Sequence, residues 1–455
     1  MAVDKFVDSI QLDADLTSVA NAIREKSGAS GVLVFPDEFV EAIQNIGGAA
    51  ENDVTFYDYD GTVVTSYSAA DFAQLLEMPS NPSHDGLISQ GWNWDLSHAK
   101  THVAKYGELS IGQMYITESG STEIDVSISD KYLSAALNIC VNGEVTIRWG
   151  DNSVYYDTVL GGSLTDPTVV SHTYANAGNY TILITATDNN ACALLGEYAY
   201  SAFRKSSYSS ASDNRPYSNA IRNVRIGHNT NIGDFAFSAC INLQTITIPN
   251  ENTSIGTYAF DDCISLACAV LPTSMTSVDG YAFVGCRFLV HVITSYNVSS
   301  FGIGLFQSCS SLKDIIIPEG VTQILNYCFS NCCSLQHIII PDGVTYIGSA
   351  TFSACDKLSS VSLPDGVTCP GDYQNCISLS SIIIPSSVNA IISFNSCTIT
   401  EYHFLPTTPP TMPTYGSAFN NLPDDCVIYV PQGSVNAYKT ATKWSDLSSY
   451  IQAEP

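Results

Sequence analysis

A fixed stride constrains this chain more than any other feature. Cys240, Cys263, Cys286, Cys309, Cys332 and Cys355 lie 23 residues apart, and Cys376 and Cys397 follow at intervals of 21. Three residues before each cysteine stands an aromatic: Phe237, Phe260, Phe283, Phe306, Phe329, Phe352, Tyr373 and Phe394. Three residues after most of them comes a leucine: Leu243, Leu266, Leu289, Leu312, Leu335, Leu358 and Leu379. Strand-like phrases closed by proline follow, namely ITIP, CAVLP, DIIIP, HIIIP, VSLP and SIIIP. A register held through seven intervals marks a stack of repeats.

Each unit reads as a short strand, a turn, a second extended piece such as VTYIG, and a tight helical turn carrying A-x-F-x-x-C. One coil cannot bury its own apolar edge, whereas stacked coils share a core. The period of two predicts Leu335, Ile338 and Ile340 inward and their neighbours outward, with Pro341 ending the strand. The cysteines then form an internal column of small apolar side chains. Coils about 4.8 Å apart sit beyond the usual Cβ separation of a disulfide. A metal site from Cys328, Cys332, Cys333 and His337 is disfavoured: Cys332 belongs to the inward column, His337 to the outward face, and the spacing fits no familiar zinc pattern.

Across residues 220–400 this pattern resembles the BspA-like (Treponema-type) leucine-rich repeats. The tail CVIYVPQGSVNAYKTATKWSDL (426–447) is similar to the segment that follows such repeats, a strand ending in VP and a helix carrying Tyr438 and Trp444. It is expected to cap the last coil, since an open solenoid edge invites aggregation. The resemblance implies a surface adhesion or interaction protein with no catalytic residues in the motif.

The first half is read as three further units. Residues 1–50 contain two short helices, LTSVANAIREK and FPDEFVEAIQNIGG, with apolar stripes Leu16, Val19, Ile23 and Phe39, Ile43, Ile46. This segment resembles N-terminal helical modules of phage tail and other virion proteins, which implies attachment or oligomerisation; a helical cap on the next unit is the alternative. Residues 51–115 form a small α+β module opened by a hairpin at Asp60-Gly61, weakly similar to grasp-like repeats, in which Trp92 and Trp94 are expected to pack rather than bind sugar. Residues 116–195 alternate as strands. WGD (149–151) and H-x-Y…AG-x-Y-x-I-x-I-x-A (172–186) resemble a PKD-type β-sandwich, with Ile147 and Trp149 against Tyr180, Ile182 and Ile184. A loop leads into repeats over 196–400, and 401–455 forms the cap. The fold class is thus multidomain and mainly β.

The charge balance excludes whole classes of partner. With 44 acidic and 17 basic residues and a formal charge of -27, the chain repels phosphate backbones and anionic lipid. No apolar run reaches membrane-spanning length, and the acidic start MAVDKFVDSIQLDAD is unlike a secretory signal. No nucleotide, metal or nucleophile motif is present, so no cofactor, metal or catalytic residue is expected. The carboxylate pairs Asp261-Asp262 and Asp424-Asp425 fall in turns and are expected to lack apolar surroundings. The candidate binding residues are the outward aliphatic column Val270, Ile293, Ile316, Ile339 and Ile383, a ridge expected to pack on another chain or on the N-terminal modules. The functional expectation is a non-enzymatic virion fibre or spike contacting a host-surface glycan or protein, mounted on other virion proteins through residues 1–50 and oligomeric, by analogy trimeric. The alternative is a bacterial cell-surface BspA-like adhesin, and a glycan-degrading enzyme stands third.

Overall fold

The computed structural model describes residues 53–153, 161–186, 191–196, 202–204, 218–413, 418–420 and 422–455. The N-terminal stripes Leu16, Val19, Ile23, Phe39, Ile43 and Ile46 lie outside the described residues.

From Ile221 onward the chain winds as a solenoid. One parallel ribbon is built from short strands such as Cys268–Val270, His291–Ile293 and His337–Ile339, and a second from Ser254–Ile255, Ser277–Val278, Gln323–Ile324 and Tyr346–Ile347. Pairing follows the repeat, with Cys268 opposite His291 and Ile255 opposite Val278. Inside, the aromatics form an unbroken stack from Phe237 to Phe394 and on to Phe419. Successive ring centroids are 5.2 to 5.8 Å apart and planes within 16° of parallel.

The cysteine column packs beside this stack and also donates hydrogen bonds. Each thiol from Cys263 on reaches the carbonyl of the aromatic one coil earlier: Cys263 to Phe237 O at 3.1 Å, Cys309 to Phe283 O at 3.2 Å, Cys397 to Tyr373 O at 2.8 Å. Burial raises the thiol pKa well above its usual value at Cys263, Cys309 and Cys332, keeping the proton this bond needs. All fifteen cysteines are free.

The tight turn beside the column has its own repeating rule. Phe235, Tyr258, Tyr281 and Tyr327 have φ between 53° and 62°, a region bulky residues rarely enter. In each the amide thereby turns to the next coil, as in Phe235 N to Thr257 O at 2.9 Å and Tyr281 N to Ile303 O at 2.7 Å. The inter-coil bond compensates the local strain.

Two sheets precede the solenoid and merge into it. β5 (Thr122–Ile128), β7 (Val145–Arg148) and β9 (Gly178–Ala186) pair in the order β5-β9-β7. The second sheet sets β8 (Gly161–Thr173), β10 (Ala191–Leu194) and β11 (Phe203–Arg204) against β6 (Ser134–Gly143). β5 also pairs antiparallel with the first coil strand, Ile221–Arg225, and β10 pairs parallel with Thr230–Ile232. Both sheets therefore continue into the solenoid ribbons, and one hydrophobic core runs from Ile124 to Ile451. The motif residues converge: Trp149 stacks on His172, His172 Nε2 lies 2.7 Å from Asp151, and Ile147 pairs with Ile184. At the other end Tyr438 and Trp444 are buried and bond Pro406 O and Pro410 O, each at 2.8 Å, while Val427–Val430 and Ile451–Ala453 extend the ribbon.

The small α+β module is a four-stranded sheet of order β2-β1-β4-β3, from β1 (Val54–Tyr57), β2 (Val63–Tyr67), β3 (Leu87–Trp92) and β4 (Leu109–Thr117). It carries helices α1 (Ala69–Gln74) and α2 (Leu96–Tyr106). Asp95 caps α2 by accepting from Ser97 N and His98 N, and Gly107 at φ 88° stops it. The hairpin expected at Asp60-Gly61 is present, with its loop widened to 58–62 and closed by Asp58 N to Thr62 O at 2.8 Å.

Candidate recognition surface

The aliphatic column is not one exposed ridge. The α+β module lies across the first ribbon, so Val270 and Ile293 are only 5% and 1% exposed. They form a small core with Met114, Cys268 and Tyr57. Ile316 packs against the module's own core, Ile339 lines a pit at the module's edge, and Ile383, beyond the module, is 58% exposed. The reason is long-range. Strand alternation sets which way a side chain points, but whether another part of the chain covers it depends on the tertiary fold.

What holds the module down is polar and specific. Asn93, fully buried, donates from Nδ2 to Leu271 O (3.0 Å), Ile293 O (3.1 Å) and Thr294 O (3.2 Å), and its Oδ1 accepts from Gly112 N at 2.8 Å. Beside it, Trp94 Nε1 donates to Thr294 O at 2.8 Å. Trp92 turns inward and bonds Pro79 O, so both tryptophans pack. Gly112 permits this close approach: a Cβ there would sit 2.5 Å from Val270 Cγ1. At the rim, Lys105 bridges Glu319 (3.1 Å) and Asp342 (2.9 Å), and His337 Nε2 meets Glu108 Oε1 at 3.2 Å.

Between module and ribbon a cleft remains, in two compartments that share Glu108, Ile315 and Ile316. A polar trough of about 170 Å³ is lined by Asp53, Thr55, Tyr57, Ser110, Asp314 and His337. A narrow apolar pit is walled by Ile317, Ile339 and Pro341, with His102 and Tyr106 above. Burial raises the Asp314 pKa, opposed by His291. His337 is raised by its bond to Glu108, whereas burial lowers His102 and His291.

Other side chains singled out in the sequence are dispersed. Cys328 and Cys332 are buried in the interior, while Cys333 bonds backbone carbonyls and His337 faces Glu108. Among the described residues no cluster of histidine, cysteine or carboxylate has the geometry of a metal site. The carboxylate pair at Asp261-Asp262 differs from expectation. Burial between coils, with Asp262 adding to it, pushes the Asp261 pKa up to about 6. The outer column continues uncovered over Ser360–Ser362, Ser381–Ile384, Glu401–Phe404 and Val427–Val430, where His403 stacks on Tyr429 with centroids 4.9 Å apart. The anchor Asn93 was missed by sequence reasoning; its only signal was a polar residue set between two tryptophans.

Comparison with known proteins agrees with the repeat geometry. Residues 212–332 and 322–423 match the family described as BspA type leucine rich repeat region. Similar solved structures include a leucine-rich repeat protein of T. pallidum, 26% identical, covering 34% of this chain and 67% of that one with a TM-score of 0.28. A leucine rich cell surface protein of Faecalibacterium prausnitzii is 20% identical over 51% of this chain and 84% of its own, with a TM-score of 0.27. A leucine-rich repeat protein of Bacteroides ovatus is 20% identical over 52% and 85%, with a TM-score of 0.24. No curated protein matches the sequence. Stride, stacked interior and family match together make residues 212–423 a BspA-type leucine-rich repeat region.

Proposed function

We propose that this is a non-enzymatic recognition protein displayed at a bacterial cell surface, whose repeat solenoid is the rigid platform for contact with a host-surface glycan or protein. The observation that carries the reading is the BspA-type repeat region, whose stride and stacked interior extend from Ile221 to the cap. Its uncovered ribbon, with Ser360, Ser362, Ser381 and Glu401 exposed around Ile383, presents a mixed polar and apolar face for a partner. The formal charge of -27 favours neutral or basic partners over anionic ones. The virion reading rests on the resemblance of residues 1–50, the start unlike a secretory signal and the many unpaired cysteines, and residues 1–50 would serve attachment or homo-oligomerisation in either setting. The test is binding of the labelled full chain to intact host cells, with Ile383→Asp as the surface variant. Saturable binding that falls in the variant at unchanged melting temperature supports the reading; binding to no cell type, or binding indifferent to Ile383, removes it. Immunogold labelling of the producing bacterium against phage particles separates cell surface from virion.

A further inference from the structure

The cleft between module and ribbon holds two polar groups whose partners are not supplied by the fold. His102 is 6% exposed and its Nδ1 has no hydrogen-bond partner. It lines the apolar pit with Ile316, Ile339 and Pro341. Asp314 lies in the adjoining trough, half-buried, with no hydrogen bond among the described residues to its carboxylate, which feels the charge of His291. A buried polar atom left unpaired, as His102 Nδ1 is, is costly and rare, and one that lines a concave site beside a half-buried carboxylate points to a ligand that completes it.

Charge and shape define that ligand. Asp53, Glu108 and Asp314 line the trough, and Glu319 and Asp342 stand at the rim beside Lys105, which disfavours anions. Carboxylates accept hydrogen bonds from hydroxyls, and Thr55, Ser110 and Tyr57 add neutral polar contacts. The pit requires something different: a small methyl-bearing group with neutral hydrogen-bonding atoms beside the methyl. Burial lowers the His102 pKa, which favours the neutral ring as the partner of a neutral group. An acetamido group meets each demand. Its methyl fits the isoleucine wall, its carbonyl accepts from the Nδ1–H tautomer of His102, and its N–H donates to Glu108.

We propose that this cleft is a carbohydrate site that takes an N-acetylated hexosamine, with the acetamido group in the pit and ring hydroxyls on Asp314. It deepens the recognition reading by naming a ligand class, yet it rests on the cleft alone. Binding of the sugar in solution leaves it standing even if the protein binds no cell.

Trp94 supplies the signal, because its ring centroid is 5.2 Å from that of His102. The full chain is titrated with N-acetylglucosamine and its β1,4-linked dimer, with glucose, glucosamine and an acetyl-lysine peptide as controls. Saturable change is expected with the acetylated sugars, with glucose and glucosamine at least about tenfold weaker. Asp314→Asn is expected to weaken binding about tenfold, and Ile339→Trp to abolish it by filling the pit, both at wild-type melting temperature. No response to either acetylated sugar, equal response to glucose, preference for the peptide, or indifference to Ile339→Trp each overturns the assignment.

Discussion

Asn93→Ala tests how the module is held on the repeats. The substitution removes four hydrogen bonds at once. Two of the groups left behind keep a second donor: Ile293 O accepts from Leu271 N at 2.9 Å, and Thr294 O from Trp94 Nε1 at 2.8 Å. The loss therefore falls mainly on Gly112 N–H and Leu271 O, both inside the contact. At about 1–3 kcal/mol for each buried group left without its partner, docking weakens by about 2–6 kcal/mol. Urea unfolding followed by tryptophan fluorescence, in a background with Trp149→Phe and Trp444→Phe, reports the module through Trp92 and Trp94, while far-UV circular dichroism follows the β-rich solenoid. In Asn93→Ala the fluorescence midpoint is expected to drop away from the dichroism midpoint, which stays near the wild-type value. Gly112→Ala, which would place a Cβ 2.5 Å from Val270 Cγ1, is expected to give the same separation. A cost below about 0.5 kcal/mol for Asn93→Ala, less than one ordinary net hydrogen bond, would refute the peg.

Two further substitutions address the interior. Cys309→Ala removes both packing volume and the donor to Phe283 O and is expected to cost about 1–3 kcal/mol in chemical denaturation; Cys309→Ser, which keeps a donor, is expected to cost less. The reverse order would mean that the thiol acts as an apolar filler and that its hydrogen bond contributes little. Asp261 has a folded pKa of about 6 against an ordinary 3.8, so the folded state holds its proton more tightly. Its contribution is complete below pH 4 and is lost as pH rises through about 6, up to about 3 kcal/mol. Asp261→Asn is expected to gain stability relative to wild type at pH 7.5 and little at pH 4, read from paired urea curves.

The repeats were legible because every coil reuses the same stride, so columns of Phe, Cys and Leu appear directly in the sequence. The hairpin at Asp60-Gly61 and the packed roles of Trp92 and Trp94 follow from equally local chemistry. The module's resting place was not legible. Asn93 reaches residues 178 to 201 positions away, and nothing local distinguishes such a peg from a surface asparagine. Which cover Val270 and Ile293 receive was open for the same reason: period-two alternation separates two faces but does not say whether another chain or the N-terminal modules lie on the outer one. Continuity between the two preceding sheets and the first coil was hidden by the Ser- and Tyr-rich stretch before Ile221, which reads as a loop although Phe203–Arg204 pairs with β6. Asp261 looked like an ordinary turn carboxylate because burial between coils is also a tertiary effect.

The central claim is that thiols spaced one coil apart line the inside of a continuous stack, and counting reactive thiols tests it most directly. Of fifteen cysteines fourteen are buried, and Cys333 alone is partly exposed. Titration of the native full chain with a thiol reagent is expected to label at most one cysteine rapidly and all fifteen after denaturation without reductant. Rapid labelling of several native thiols, or fewer than fifteen after denaturation, would contradict the stacked, reduced interior.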